Sequence, residues 1–176
     1  RKNKKTRPIY MATVNLSAYD KNTIPSAEGI RVGIAVSRWN TEITEGLYNG
    51  AAQTLFDLGA KKENVFRVDV PGSFELIYAA SAMQASGRFD AVIVLGSVIR
   101  GETPHFEYIC SSVADAIASL NVRGGRKNMA PVIFGVLTDN NIDQARARSG
   151  GALGNKGVEC AVDAVQMAAL RKNMRD

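Results

Sequence analysis

The sequence predicts an α/β protein whose central parallel sheet is covered by helices on both faces. Four apolar segments rich in β-branched residues have strand character, at residues 30–36, 65–70, 91–95 and 132–137. They are mostly continuous rather than alternating in polarity, which is typical of strands buried on both faces. Segments with helical periodicity separate them, so we expect βαβ units with right-handed crossovers. The expected fold is a flavodoxin-like three-layer α/β/α sandwich with a central four-stranded parallel sheet.

The helical segments carry recognisable start and stop signals. Five helices are predicted over about residues 41–58, 73–85, 103–120, 142–148 and 156–170. Asn40 predicts the start of the first helix, because asparagine is favoured at the N-cap position, and Gly59 predicts its end. Gly87 ends the second helix. Pro104 lies in the first turn of the third, where its missing N–H costs nothing.

The net charge of +5 comes from the N-terminal part of the chain. Residues 1–31 carry seven basic and two acidic side chains, whereas the rest of the chain carries 15 of each. A basic arm binds phosphates without sequence preference, but such a segment is more often a solvated tail. We therefore expect residues 1–29 to be an arm, residues 30–176 to be the α/β domain, and no nucleic-acid partner.

Residues 8–16, PIYMATVNL, have the character of one further short strand. A lone strand outside the main sheet needs a partner edge, and that edge can belong to another chain. We expect the arm to add this strand to a neighbouring subunit.

Composition restricts which cellular compartment and which kinds of metal or disulfide site we expect. With 176 residues, 45% of them apolar, the chain suits one domain, and no stretch reaches the ~20 apolar residues of a membrane span. The N-terminal segment lacks the apolar region of a secretory signal. Cys110 and Cys160 match neither a zinc-site spacing nor a disulfide framework. We expect a cytoplasmic protein with no membrane partner and no metal site.

Four loops at the carboxyl ends of the predicted strands are the candidate site, because parallel α/β sheets bind ligands at this edge. They hold the only tryptophan, Trp39, and the only histidine, His105. The four loop sequences are SRWN at 37–40, PGSFE at 71–75, GSVIRGETPH at 96–105 and TDNN at 138–141.

Three side chains in these loops each allow two interpretations. Trp39 either caps the core at its rim or offers a flat wall to a heteroaromatic ring. Glu75 either complements a helix N-terminus or accepts hydrogen bonds from a polyol or amide. A lone histidine is more often structural, but a helix N-terminus disfavours an imidazolium, so His105 is the best candidate for proton transfer.

The segment before the third helix favours an anion. Glu102 and Thr103 lead into a helix whose first N–H groups are free, and no Walker-type motif is present, so a small phosphate ester fits better than a nucleoside triphosphate. Arg148 either supplies a bidentate guanidinium or is a solvated helix charge. Arg146 is its nearest competitor, pointing to the opposite side of the helix.

Five motifs together resemble the lumazine synthase family over about residues 30–170. They are SRWN, VPGSFE, GSVIRGETPHFEYI, PVIFGVLT and GNKGVECAVDAVQMA. The resemblance implies a transferase of riboflavin biosynthesis that condenses 5-amino-6-(D-ribitylamino)uracil with 3,4-dihydroxy-2-butanone 4-phosphate, without cofactor or metal. It also implies a homo-oligomer, since relatives form pentamers or icosahedral shells of pentamers.

The resemblance implies a role for each matching residue. His105 matches the proton-transfer residue, and Arg148 the phosphate-binding arginine, with Glu102 and Thr103 where the family cradles the butanone phosphate. Phe134 matches an aromatic contributed by the adjacent subunit. The residues implied to bind the pyrimidine and its ribityl chain are Trp39, Asn40, Ser73, Phe74, Glu75, Ser97, Val98, Ile99, Phe134 and Lys156.

Two features depart from the family pattern. Ala152 stands where some relatives carry a lysine, and residues 122–129, VRGGRKNM, are longer and more basic than the connection requires. Two alternatives belong to other functional classes: a flavodoxin-like module that binds a flavin or related ring without converting it, and a family member retained mainly as a self-assembling shell.

Overall fold

The computed structural model describes residues 15–174, which form a four-stranded parallel sheet, five α-helices and a small hairpin. The strands are β1 (Val32–Ser37), β2 (Val65–Val70), β3 (Ala91–Ile99), β4 (Val132–Asp139), β5 (Ser149–Gly151) and β6 (Gly154–Asn155). The helices are α1 (Thr41–Asp57), α2 (Leu76–Ala85), α3 (His105–Arg126), α4 (Ile142–Arg148) and α5 (Lys156–Asn173). Two 3₁₀ turns cover Lys21–Thr23 and Lys62–Asn64.

The sheet order is β2-β1-β3-β4, and alternating side chains of each central strand enter two separate cores. Ile34 of β1 packs in one core with residues of α1 and α5, whereas Ala35 packs in the other with residues of α2 and α3. Successive strand residues point to opposite faces, so both faces of the sheet are apolar and covered. The predicted three-layer sandwich is confirmed.

The two strands that frame the candidate site are longer than predicted. β3 continues to Ile99 and β4 to Asp139, and these two residues are paired in register. The sequence Gly96-Ser97 indicates a loop, but the parallel ladder with β4 continues through it because Ser97 is buried beside its neighbour strand. Polar side chains are thereby fixed on a strand rather than on a mobile loop.

Two helices begin later than predicted. α2 begins at Leu76 because residues 73–75 form a turn, in which the N–H of Leu76 donates to the carbonyl of Ser73. α3 begins at His105, with Pro104 as its cap residue, and continues to Arg126, so it includes part of the basic segment 122–129. The predicted end signals are confirmed, since Gly59 has φ +103° and Gly87 has φ +65°.

Residues 1–14 of the predicted arm lie outside the described residues, whereas residues 15–29 are described and include Ala27, which is buried in the core. Of the strand expected over residues 8–16, only Asn15 and Leu16 are described, and they lead into a turn. Ser17, which follows, is buried against the start of α5. Among residues 15–174, none of the helices combines the length and the apolar character that a membrane span requires.

Candidate active site

A cavity of about 580 Å³ lies at the carboxyl ends of the central strands, beside the first turn of α3. It brings together nine of the residues that the sequence predicts for a site. The cavity is lined by Trp39, Asn40, Gly72, Ser73, Phe74, Glu75, Ser97, Val98, Ile99, His105 and Ile109.

Asn40 shapes the loop that carries Trp39. Its backbone is left-handed, with φ 56° and ψ 52°, a conformation that asparagine tolerates better than most residues. Its side chain does not cap α1, which corrects the predicted capping role; instead Nδ2 donates to the carbonyl oxygen of Ser97 at 2.9 Å. Trp39 is 71% exposed. That exposure favours a stacking wall over a residue that caps the core.

Gly72 allows an aromatic face and a carboxylate to share one wall. A Cβ at this position would lie 3.0 Å from Oε2 of Glu75 and 3.2 Å from Cδ1 of Trp39. Any side chain there would displace one of the two groups. The wall offers a flat apolar surface and a hydrogen-bond acceptor, which suits a ligand with an aromatic ring and several hydroxyl or N–H groups.

Three buried serines give the base of this sheet edge a polar character. Among the described residues, the hydroxyls of Ser37, Ser73 and Ser97 have no hydrogen-bond partner. Ser73 and Ser97 line the cavity, and a Cβ at Gly96 would lie 2.7 Å from Oγ of Ser73. A buried hydroxyl without a partner costs about 1–3 kcal/mol. Both lining hydroxyls therefore gain from a polar ligand.

His105 is the first residue of α3, and its imidazole is exposed to the cavity. The nearby charges are paired with each other, because the guanidinium of Arg100 bonds to the carboxylate of Glu107 and lies 4.3 Å from the ring centroid of Phe106. The imidazole thus stands at the positive end of a helix, within reach of a bound ligand, where it can transfer protons.

Glu102 and Thr103 lie outside the lining of this cavity. Both are exposed in the segment that precedes α3. Both precede α3, as expected for Glu102, whereas Thr103 was predicted to begin the helix and lies two residues ahead of it.

Arg148 and Arg146 have clearly different surroundings. Arg148, at the end of α4, lines a second cavity together with Asp139. Its Nη1 donates to the carbonyl of Leu153 at 2.8 Å and its Nη2 to Oε1 of Glu159 at 2.6 Å. Arg146 is exposed and bonds to Glu42 at 2.8 and 2.9 Å. Arg148 thus lies in a cavity and is held by two acceptors, whereas Arg146 forms exposed ion pairs.

The carboxylates near Arg148 are shifted in opposite directions. Burial raises the pKa of Asp139, and the positive charge of Arg148 offsets only part of this effect. Burial also acts to raise the pKa of Glu159, but hydrogen bonds from Lys156 and Arg148 outweigh it and the net shift is downward. Glu159 is therefore a stable counter-ion for both cations at neutral pH.

Phe134 and Lys156 also lie outside the main cavity. Phe134 is half-buried in a cleft between α3 and α5, whose lining includes Ile117 and Met167. Lys156 begins α5, and its Nζ lies 2.9 Å from Oε2 of Glu159. A single chain does not bring either residue into contact with the wall formed by Trp39.

The sequence interpretation missed three residues of these sites. Ile109 lines the main cavity because it lies one helical turn after His105, a spacing that predicts a shared face. Gly72 also lines the main cavity, although the PGSFE motif predicts roles only for the residues that follow it, Ser73 to Glu75. Glu159 follows Lys156 by three residues, so an ion pair was predictable, although its bond to Arg148 depends on the fold.

Within residues 15–174, no group of three or more His, Cys, Asp or Glu side chains is arranged to hold a metal ion.

Comparison with known proteins identifies the family. The sequence profile of the family described as 6,7-dimethyl-8-ribityllumazine synthase matches residues 29–172. A protein of that name from Christiangramia forsetii is 55% identical over 162 residues, covering 92% of this chain and 94% of the relative. Proteins of the same name from Flavobacterium johnsoniae and Phocaeicola vulgatus are 54% and 48% identical, covering 90% and 94% of this chain and 81% and 97% of their own lengths. The chain therefore belongs to the 6,7-dimethyl-8-ribityllumazine synthase family.

Proposed function

We propose that the chain condenses 5-amino-6-(D-ribitylamino)uracil with 3,4-dihydroxy-2-butanone 4-phosphate to form 6,7-dimethyl-8-ribityllumazine, releasing inorganic phosphate and two molecules of water. One observation carries this proposal: a single cavity holds an exposed indole, a carboxylate and an imidazole, contributed by Trp39, Glu75 and His105. These groups suit a flat heterocycle, a polyol chain and a series of proton transfers. Membership of the family supports the same reaction.

The pyrimidine binds against the wall formed by Trp39, with Asn40 beside it and the end of β3 along its edge, where Ser97, Val98 and Ile99 line the cavity. The ribityl chain extends towards residues 73–75. There the exposed carboxylate of Glu75 accepts hydrogen bonds from hydroxyl groups, and the buried hydroxyl of Ser73 gains a partner.

The reaction needs several proton transfers and little else from the protein. An amine attacks the ketone and water leaves; phosphate is then eliminated, the resulting enol tautomerises to a ketone, and the second amine attacks this ketone and closes the ring with loss of a second water. His105 serves these transfers from the first turn of α3. Holding two reactants together can contribute up to ~7–11 kcal/mol in favourable cases. Single substitutions should therefore reduce the rate without abolishing it.

The phosphate group binds to Arg148, aided by the segment containing Glu102 and Thr103. Support comes from the guanidinium of Arg148, which is held within a cavity by two protein acceptors, unlike the exposed guanidinium of Arg146. A planar fork matches the geometry of phosphate oxygens.

The active unit is a homo-oligomer, a pentamer whose sites are shared between neighbouring chains. Support comes from Phe134, Arg148 and Lys156, which lie outside the main cavity of their own chain, so that a neighbour can contribute them. In this assembly, residues 8–16 add a strand to a neighbouring chain. The short linker SGGALGNKG at 149–157 is similar to that of shell-forming relatives, so pentamers can assemble further.

The reaction takes place in the cytoplasm. Both cysteines, Cys110 and Cys160, are free thiols, which suits a reducing compartment.

Incubation with both substrates tests the proposed reaction. The enzyme should form the lumazine faster than the spontaneous condensation under the same conditions. A module that only binds a flavin or related ring should bind the ligand and leave the spontaneous rate unchanged. A shell protein should assemble and also leave the rate unchanged.

A further inference from the structure

The guanidinium of Arg148 is held by acceptors from two different elements. The carbonyl of Leu153 lies in the turn between β5 and β6, whereas the carboxylate of Glu159 lies in the first turn of α5. The side chains of Arg148 and Glu159 are 17% and 20% exposed, so the pair is largely removed from solvent. Within the described chain, these two bonds occupy two of the five N–H groups of the guanidinium and leave three for an anion.

Glu159 is in turn fixed by donors from three parts of the chain. Its Oε1 accepts from Arg148 and from the hydroxyl of Ser17 at 3.0 Å, and its Oε2 accepts from Lys156. Ser17 has one hydroxyl proton, which reaches either Glu159 or the carbonyl of Asn155 at 2.9 Å. The ionised carboxylate is the stronger acceptor. The same hydroxyl accepts from the N–H of Asn155 at 2.7 Å.

Ser17 also packs directly against the hairpin that carries the second acceptor. A Cβ at Gly154 would lie 2.5 Å from Oγ of Ser17 and 2.5 Å from Oδ1 of Asn15, so only glycine allows this approach. Oδ1 of Asn15 accepts from the N–H of Ser17 at 3.0 Å, which fixes the turn. Gly154 directly follows Leu153, whose carbonyl holds Arg148.

We propose that Ser17 is a positioning residue for the anion site of Arg148. Its hydroxyl holds the carboxylate of Glu159, and its turn holds the hairpin, so both acceptors of the guanidinium are fixed by a residue 142 positions before Glu159. Ser17 itself does not touch the substrate. A residue within the predicted N-terminal arm thereby sets the affinity for the phosphate group. This inference rests on the proposed role of Arg148 towards the phosphate-bearing substrate.

Replacing the Ser17 hydroxyl tests this role. In the full-length protein, Ser17→Ala should raise the KM for the butanone phosphate and the dissociation constant of inorganic phosphate by about 3- to 10-fold, because one hydrogen bond in the positioning chain is lost. The KM for the pyrimidine and kcat should stay within about twofold. Ser17→Thr, which keeps the hydroxyl, should show the parent values, whereas Ser17→Val, which has the shape of threonine but no hydroxyl, should not.

Ser26→Ala is the matched control, because within residues 15–174 Oγ of Ser26 accepts a single local hydrogen bond, from the N–H of Glu28 at 3.1 Å. In an Arg148→Ala background, Ser17→Ala should have no further effect on phosphate affinity. The proposal is overturned if Ser17→Ala and Ser17→Val leave phosphate affinity unchanged, or if both substrates weaken equally together with thermal stability. Calorimetric titration with inorganic phosphate measures the phosphate affinity of each variant without turnover. An inactive parent protein would refute the proposed function, and the phosphate affinities of the variants would still decide the positioning role of Ser17.

Discussion

The side-chain amide of Asn40 donates to the backbone carbonyl of Ser97 at 2.9 Å, which joins the start of α1 to the end of β3. Since Asn40 directly follows Trp39, the bond fixes the indole relative to the strand whose last residues line the same cavity. The bond thus ties the loop that carries Trp39 to the end of β3 at the edge of the candidate site.

His105 should contribute to the rate without being indispensable. A positioned acid or base typically contributes ~10²–10⁴-fold, and water can partly replace it, so His105→Ala should lower kcat and leave measurable activity above the spontaneous rate. Steady-state rates from pH 6 to 9 check the prediction, with His105→Gln as a polar control. If His105→Ala retains the parent rate across this range, the residue has no part in the mechanism.

Arg148 should act on one substrate only. Arg148→Ala should raise the KM for the butanone phosphate by roughly 10- to 100-fold, corresponding to the ~1.5–3 kcal/mol of a lost charge-assisted hydrogen bond. Arg148→Lys should rescue little, because an ammonium does not present a planar fork. Arg146→Ala is the control and should leave both KM values near those of the parent, since Arg146 bonds to the exposed Glu42. Equal weakening towards both substrates would instead indicate a structural role for Arg148.

A shared site should allow two impaired variants to rescue each other. In a mixture of Phe134→Ala and His105→Ala chains, some interfaces pair an intact Phe134 with an intact His105. After subunit exchange has been verified by mass spectrometry, the mixture should exceed the mean activity of the two variants alone. No gain after verified exchange, or a fully active monomer in sedimentation at assay concentration, would contradict a site shared between chains.

Two helical glycines should respond in opposite directions to the same substitution. A Cβ at Gly157 would overlap the backbone carbonyl of Leu47, which cannot move without shifting α1, so Gly157→Ala should destabilise the protein by about 2 kcal/mol or more. At Gly125, near the end of α3, a Cβ would meet nothing within 4 Å. Gly125→Ala should stabilise by about 0.4–1 kcal/mol. Chemical unfolding checks both; a shift of the same sign and size for the pair would contradict the packing argument.

The features that were predicted correctly from the sequence are those that a local pattern of residues determines. Continuous apolar strands and Gly59 after α1 identified the layers and the helix ends, because burial and backbone preference act locally. The extension of β3 through Ser97 was missed, since it depends on pairing with β4. Spacing alone left Arg148 as either a solvated helix charge or a phosphate ligand. Its burial beside Glu159 depends on a contact that only the folded chain creates.

Trp39 provides the most direct test of the central claim that ribitylaminouracil binds in this cavity and reacts there. It is the only tryptophan, so its emission reports on this wall alone. The protein is titrated with ribitylaminouracil while Trp39 emission is recorded, and butanone phosphate is then added to each sample to measure lumazine formation. If the pyrimidine binds at this wall, the emission should change saturably, with a midpoint at the concentration that half-saturates turnover. Turnover that saturates while Trp39 emission stays constant would contradict the central claim.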